Sequence, residues 1–184
     1  MLKKEMTRDE IERALQGKGD YVQIDSLRRL IKEGPAQDLR RFASLKLVEI
    51  YERRSMFPQA AELYNELASI SGHQEKLDYL LKETENYIRS GFIDRADASM
   101  SKLLNEAKPI EKLNLVITVK SFYKRQAELY EKERRKSKAA EIYEKILNMS
   151  DISDFEKREA NQKLMAIYKD LGNVQKYLGL KDNA

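Results

Sequence analysis

The chain has 184 residues, with 35 Lys plus Arg against 31 Asp plus Glu, a formal net charge of +4, 36% charged and 41% hydrophobic residues. That is apolar material for one domain or one repeat array, and no run of about 18 apolar residues exists to cross a membrane. With no Cys in the sequence, a disulfide framework, a thiol nucleophile and a thiolate metal site are all excluded.

Seven Gly and three Pro among abundant Glu, Lys, Leu and Ala predict a chain that is nearly all helix. Thr7 with Glu10 reads as a capping box and opens a helix over 7–16. The turn Gly19-Asp20-Tyr21 leads into a second helix over 21–33, which Gly34-Pro35 stops. A third, over 37–54, reaches a turn at Ser55. Pro58 suits the first turn of a fourth, over 58–71, where its missing N–H costs nothing. Ala60, Leu63, Tyr64 and Leu67 give that helix one apolar face.

Leu77, Leu80, Leu81, Tyr87 and Ile88 mark a helix over 74–90, followed by a turn at Gly91 and a helix over 94–108. Pro109 separates this from the longest element, 110–133. At 1.5 Å per residue it spans about 35 Å and should project past its neighbours. Ala139, Ile142, Tyr143 and Ile146 stripe a helix over 137–149. Ser153 with Glu156 opens another over 154–171. After Gly172, the short segment 174–179 reads as a lid on the last hairpin.

The punctuation recurs. Ile50-Tyr51-Glu52-Arg53 through Ala60-Ala61-Glu62-Leu63-Tyr64 overlays without a gap on Leu129-Tyr130-Glu131-Lys132 through Ala139-Ala140-Glu141-Ile142-Tyr143. Looser copies start at Tyr87 and Tyr168. The turns at Gly19, Ser55, Gly91, Arg134 and Gly172 are spaced 36, 36, 43 and 38 residues apart. Such a period implies stacked helical hairpins, because one hairpin cannot hide its own apolar face.

These residues resemble tetratricopeptide repeats. The points of likeness are the Tyr near the end of each first helix (Tyr51, Tyr87, Tyr130, Tyr168), the Ala opening each second helix (Ala60, Ala96, Ala139) and the aromatic or Met four residues later (Tyr64, Met100, Tyr143). The resemblance implies an all-α, right-handed α-solenoid of about five antiparallel hairpins with a short terminal capping helix. It would form one domain over 1–184, with units near 7–34, 37–72, 73–109, 110–150 and 153–180. In that family the first helices line a concave groove. Carried over, Phe42, Leu45, Glu49 and Arg53 face the groove in the second unit. Asp78, Leu81, Glu85 and Arg89 do so in the third, and Lys124, Glu128 and Lys132 in the fourth.

Glu49/Arg53, Glu85/Arg89 and Glu128/Lys132 are also spaced for local i, i+4 support. Arg134, Arg135, Lys136 and Lys138 form a basic turn. Lys136 and Lys138 stand near a helix start, where positive charge is mildly unfavourable, which hints at an acidic or phosphate contact. No aromatic platform interleaves these bases.

His73 stands alone in Ser71-Gly72-His73-Gln74 and has no companion ligands. Gly17-Lys18-Gly19 lacks the rest of a phosphate loop. Asp151 and Asp154 suit a helix start better than an acid–base couple. The expectation is therefore a non-enzymatic adaptor or scaffold, without cofactor or metal, that receives a peptide or helix of another protein in its groove. A nucleic-acid-associated protein using residues 132–138 stays open as an alternative, as does a homodimer or larger homo-oligomer. The lysine-bearing N-terminus has no apolar run behind it, so the expected location is cytoplasmic, away from membranes. The Lys/Glu-rich, Cys-free composition also fits a thermophilic origin.

Overall fold

In the computed structural model, residues 2–181 are described, and among them the chain forms ten α-helices and no strand. They are α1 Arg8–Leu15, α2 Asp20–Lys32, α3 Gln37–Arg53, α4 Phe57–Ser69, α5 His73–Ser90, α6 Ile93–Glu106, α7 Pro109–Lys132, α8 Lys136–Leu147, α9 Asp154–Asp170 and α10 Val174–Lys181. Each lies within two residues of a helix predicted from the sequence. None is long and apolar enough to cross a membrane.

Local chemistry sets the ends. Both capping boxes form: the Thr7 and Ser153 side chains accept from the Glu10 and Glu156 amides, and those glutamates reach back to the cap amides. Four of the five repeat turns share one device. Ser55, Gly91, Arg134 and Gly172 are left-handed, with φ of +56°, +78°, +59° and +67°. The next residue then donates its N–H to the carbonyl of the tyrosine five positions back. Met56 reaches Tyr51 at 2.8 Å, Phe92 reaches Tyr87 at 3.0 Å, Arg135 reaches Tyr130 at 2.8 Å and Asn173 reaches Tyr168 at 2.9 Å. This is a Schellman ending, and it satisfies carbonyls that the last helical turn leaves open. The first turn differs from expectation: its left-handed residue is Gly17, at φ +75°, while Gly19 is the N-cap of α2 at φ −65°.

Ser55 and Arg134 carry side chains in a conformation that suits glycine. Arg134→Gly should therefore raise stability by roughly 0.5–1 kcal/mol, because relief of the left-handed penalty exceeds the extra entropy of an unfolded glycine. A thermal melt should show a rise of about 2 °C; a fall would refute the strain.

The chain divides into two compact units, Met1–Lys108 and Pro109–Ala184. In the first, α2 packs on α3, α3 on α4, α4 on α5 and α5 on α6; in the second, α7 packs on α8, α8 on α9 and α9 on α10. Ile11 and Leu15 are the buried face of α1, and Lys46 of α3 pairs with Glu12 across to it at 2.9 Å. Ala60, Ala96 and Ala139 are fully buried, as is Tyr123. A methyl group at those alanine positions lets helix backbones approach closely without a void. α7 has 24 residues and α8 has 12, about 36 Å against about 18 Å, so roughly half of α7 runs with no α8 beside it.

A carboxylate clamp recurs inside each unit. Tyr64 of α4 donates to Glu52 Oε1 of α3 at 3.4 Å, and Asn86 of α5 donates to the same oxygen at 2.9 Å. In the second unit Tyr143 of α8 donates to Glu131 of α7, and Lys163 of α9 reaches its other oxygen at 3.0 Å. Burial and the adjoining carboxylate push both phenols well above their usual range, so they stay protonated as donors. One glutamate thus ties its own hairpin to the helix that follows.

Candidate functional site

Two recesses have the same construction, each formed where a first helix, its partner and the next first helix meet. The recess of the first unit encloses about 690 Å³ between α1, α2 and α3. Glu12 and Arg13 of α1, Gln23 of α2, and Lys46, Glu49 and Arg53 of α3 line it, over a floor that includes Leu15 and Ile50. Lys46, Glu49 and Arg53 follow i, i+3, i+7 spacing and therefore share one face of α3.

The charges there are partly engaged. Arg53 reaches Asp20 at 2.5 Å. The bond from Glu12 raises the Lys46 ammonium above its ordinary value, and the bond from Arg53 lowers the Asp20 carboxyl. Glu49 is exposed. One turn earlier, the Phe42 ring lies 5.7 Å from both the Arg8 guanidinium and the Lys46 ammonium. Leu45 is half-buried against the core.

The candidates in the third helical pair sit elsewhere. Asp78 is exposed and Leu81 half-buried. Glu85 accepts from Lys82 at 3.1 Å. Arg89 lies over the Phe57 ring at 4.0 Å, a cation–π contact within the first unit.

In the second unit, α7, α8 and α9 enclose about 200 Å³, lined chiefly by apolar surface of Ile117, Tyr143, Ile146 and Ala160. Lys124 is at its edge and pairs with Glu159 at 2.8 Å. Glu128 is half-buried and Lys132 exposed, and neither lines this cavity.

The basic turn is less bare than its sequence implies. Arg135 pairs with Glu133 at 3.3 Å and lies 4.6 Å from the Tyr130 ring centre. Lys136 pairs with Asp170 at 2.7 Å, and Lys138 with Glu141 at 3.6 Å. Arg134 is exposed at the left-handed turn. The mild cost of Lys136 near a helix start is offset by Asp170, whose carboxyl it holds below the ordinary value.

Two buried charges were not among the sequence candidates. Lys120 is almost wholly buried, and its ammonium donates to the Asp151 carbonyl and to Glu156 Oε2, each at 3.0 Å. It pins the α8–α9 connection, where Asp151 is left-handed at φ +59°, onto α7. Partial burial pushes the Glu156 carboxyl up. The Ser153 amide, the Lys120 ammonium and the Ser153 hydroxyl outweigh that and hold it down to about 2. Glu83 on α5 is also buried, and its Oε2 has no hydrogen-bond partner. Burial raises its carboxyl, with Lys102 and Ser99 acting in opposition.

Spacing carries a signal for both. Lys120 is four residues after Val116 and three before Tyr123. Glu83 is three after Leu80 and four before Tyr87. A lone charge on an apolar stripe marks a buried charge.

His73 opens α5 rather than standing in the preceding loop. No group of three His, Cys, Asp or Glu able to hold a metal ion occurs among the described residues. In comparison with known proteins, no family model matches the chain, and no curated protein and no solved structure matches it at a significant level.

Proposed function

We propose that the protein is a non-enzymatic adaptor or scaffold that binds a peptide or helix of another protein. The observation that carries this reading is the α1–α2–α3 recess. Its wall joins Glu49 and Arg53, both expected to face a partner, to Lys46 and Glu12 in one concavity of about 690 Å³. Charges of both signs over an apolar floor recognise a segment of mixed charge by complementarity, and a preformed wall keeps the ordering cost low on the protein's side.

A right-handed solenoid of tetratricopeptide-like hairpins is part of the same proposal. Four tyrosine-capped turns, the buried alanines and the recurrent carboxylate clamp support it. A nucleic-acid role for residues 132–138 has weaker support, since Arg135, Lys136 and Lys138 each already face an acid. A phosphate backbone would have to displace those partners.

Affinity capture from cells of the source organism, with the wild type and a Glu49→Lys/Arg53→Glu variant, tests the reading. Both positions are exposed, so the fold should persist. The variant should lose one specific partner, with affinity for the purified partner at least tenfold weaker. Identical captures would remove the recess from consideration.

A further inference from the structure

We infer that the ligand of the α1–α2–α3 recess is a peptide segment that places a basic side chain, arginine in preference to lysine, on Glu49. The inference rests on the adaptor reading and adds to it the chemistry of the partner.

Three cations line the recess, Arg13, Lys46 and Arg53, and the fold already supplies each with an oxygen. Lys46 is held by Glu12 at 2.9 Å and Arg53 by Asp20 at 2.5 Å. Arg13 donates through Nε to the Asp9 carbonyl at 3.3 Å. The Asp9 carboxylate stands one turn before Arg13, at the i, i+4 spacing that lets opposite charges offset each other. Glu49 has no such match. It is exposed, and its carboxylate makes no hydrogen bond or ion pair with any of the described residues. Lys46, one turn away on α3, acts on it through space alone, because its ammonium is bonded to Glu12.

The sign of the recess follows. Asp9, Glu12 and Glu49 of its lining, with the Asp20 that holds Arg53, set four carboxylates against three cations. The protein as a whole carries +4, so this hollow reverses the sign of the chain. A hollow of that sign draws a cation and turns away an acidic segment.

The floor defines the rest of the ligand. Leu15 and Ile50 are 6% and 4% exposed and present apolar surface to the recess. A long basic side chain matches both features, with its methylene stem on the floor and its charged head on Glu49. Both Glu49 oxygens are open, so a guanidinium can bond the two at once, which the compact ammonium of lysine does less well. A recess of about 690 Å³ also has room for several residues around that anchor. Gln16, exposed at its edge, offers an amide donor and acceptor to their backbone.

The test is selection of short randomised peptides, displayed on phage, against the immobilised full chain. Gln16→Trp fills the recess without altering its charge, and so marks which selected peptides bind there. Those peptides should share one Arg or Lys and should bind Glu49→Gln at least about fivefold more weakly than the wild type. With that residue changed to Glu, they should bind Glu49→Arg at least about fivefold better than they bind the wild type. Both positions are exposed, and the circular dichroism of all three variants should match the wild type.

Recess peptides with no shared basic residue, or that bind Glu49→Gln as well as the wild type, would overturn the inference and leave the adaptor reading standing. A selection in which Gln16→Trp blocks no peptide would remove the recess as a binding site, and the adaptor reading would fall with the inference.

Discussion

Replacing Lys120 with alanine should lower stability by about 3 kcal/mol. Its side chain is 10% exposed, and it pairs with Glu156, whose side chain is 36% exposed. Truncation leaves Glu156 with only its Ser153 cap and the Asp151 carbonyl without its donor. Breaking a buried pair costs about 3–5 kcal/mol, and the partial exposure of Glu156 keeps the value at the low end. Lys120→Met retains the aliphatic stem and should cost less than the alanine. The difference separates lost packing from lost charge. Guanidinium unfolding followed by circular dichroism measures both; equal midpoints for wild type and Lys120→Ala would show that the pin is not structural.

The same pair makes an acid-range prediction. Glu156 is held at about 2, below its ordinary 4.5. A carboxyl with a depressed folded-state pKa adds stability that is fully present above the unfolded value and is lost as pH falls through the folded one. The contribution should therefore fade between about pH 4.5 and 2. In Lys120→Ala that part of the acid sensitivity should shrink, leaving the share due to the Ser153 cap. Parallel stability–pH curves for the two proteins over that window would contradict the assignment.

Ala139→Leu should cost about 3 kcal/mol. Ala139 is fully buried at the start of α8, as Ala60 and Ala96 are at the equivalent place in their helices. Three added carbons must displace a neighbouring helix or force strained rotamers. Overpacking of this kind costs about 1–3 kcal/mol, occasionally more, and a helix–helix contact with no slack sits at the upper end. The exposed Ala166 of α9 serves as control, and Ala166→Leu should stay within about 0.5 kcal/mol of the wild type. If the two leucines have equal effects, Ala139 is not a close-approach position.

Local pattern in the sequence was enough to find the ten helices of the described residues, their capping boxes and the turns at Ser55, Gly91, Arg134 and Gly172. These are local matters, because a helix face recurs every three or four residues and a Schellman ending involves six consecutive ones. It also pointed to Ala60, Ala96 and Ala139 as contact positions, since a conserved period within one chain betrays repeated packing. Which charges meet was set by packing between helices. Arg53 finds Asp20, Lys136 finds Asp170 and Lys120 finds Glu156 across more than thirty residues, through approach of helices whose relative placement no local pattern encodes. It likewise left Ile110, Leu113 and Ile117 open to solvent while burying Val116 and Val119. Apolar residues on both faces of one helix look alike in sequence, and only the neighbours that arrive, or fail to, tell the faces apart.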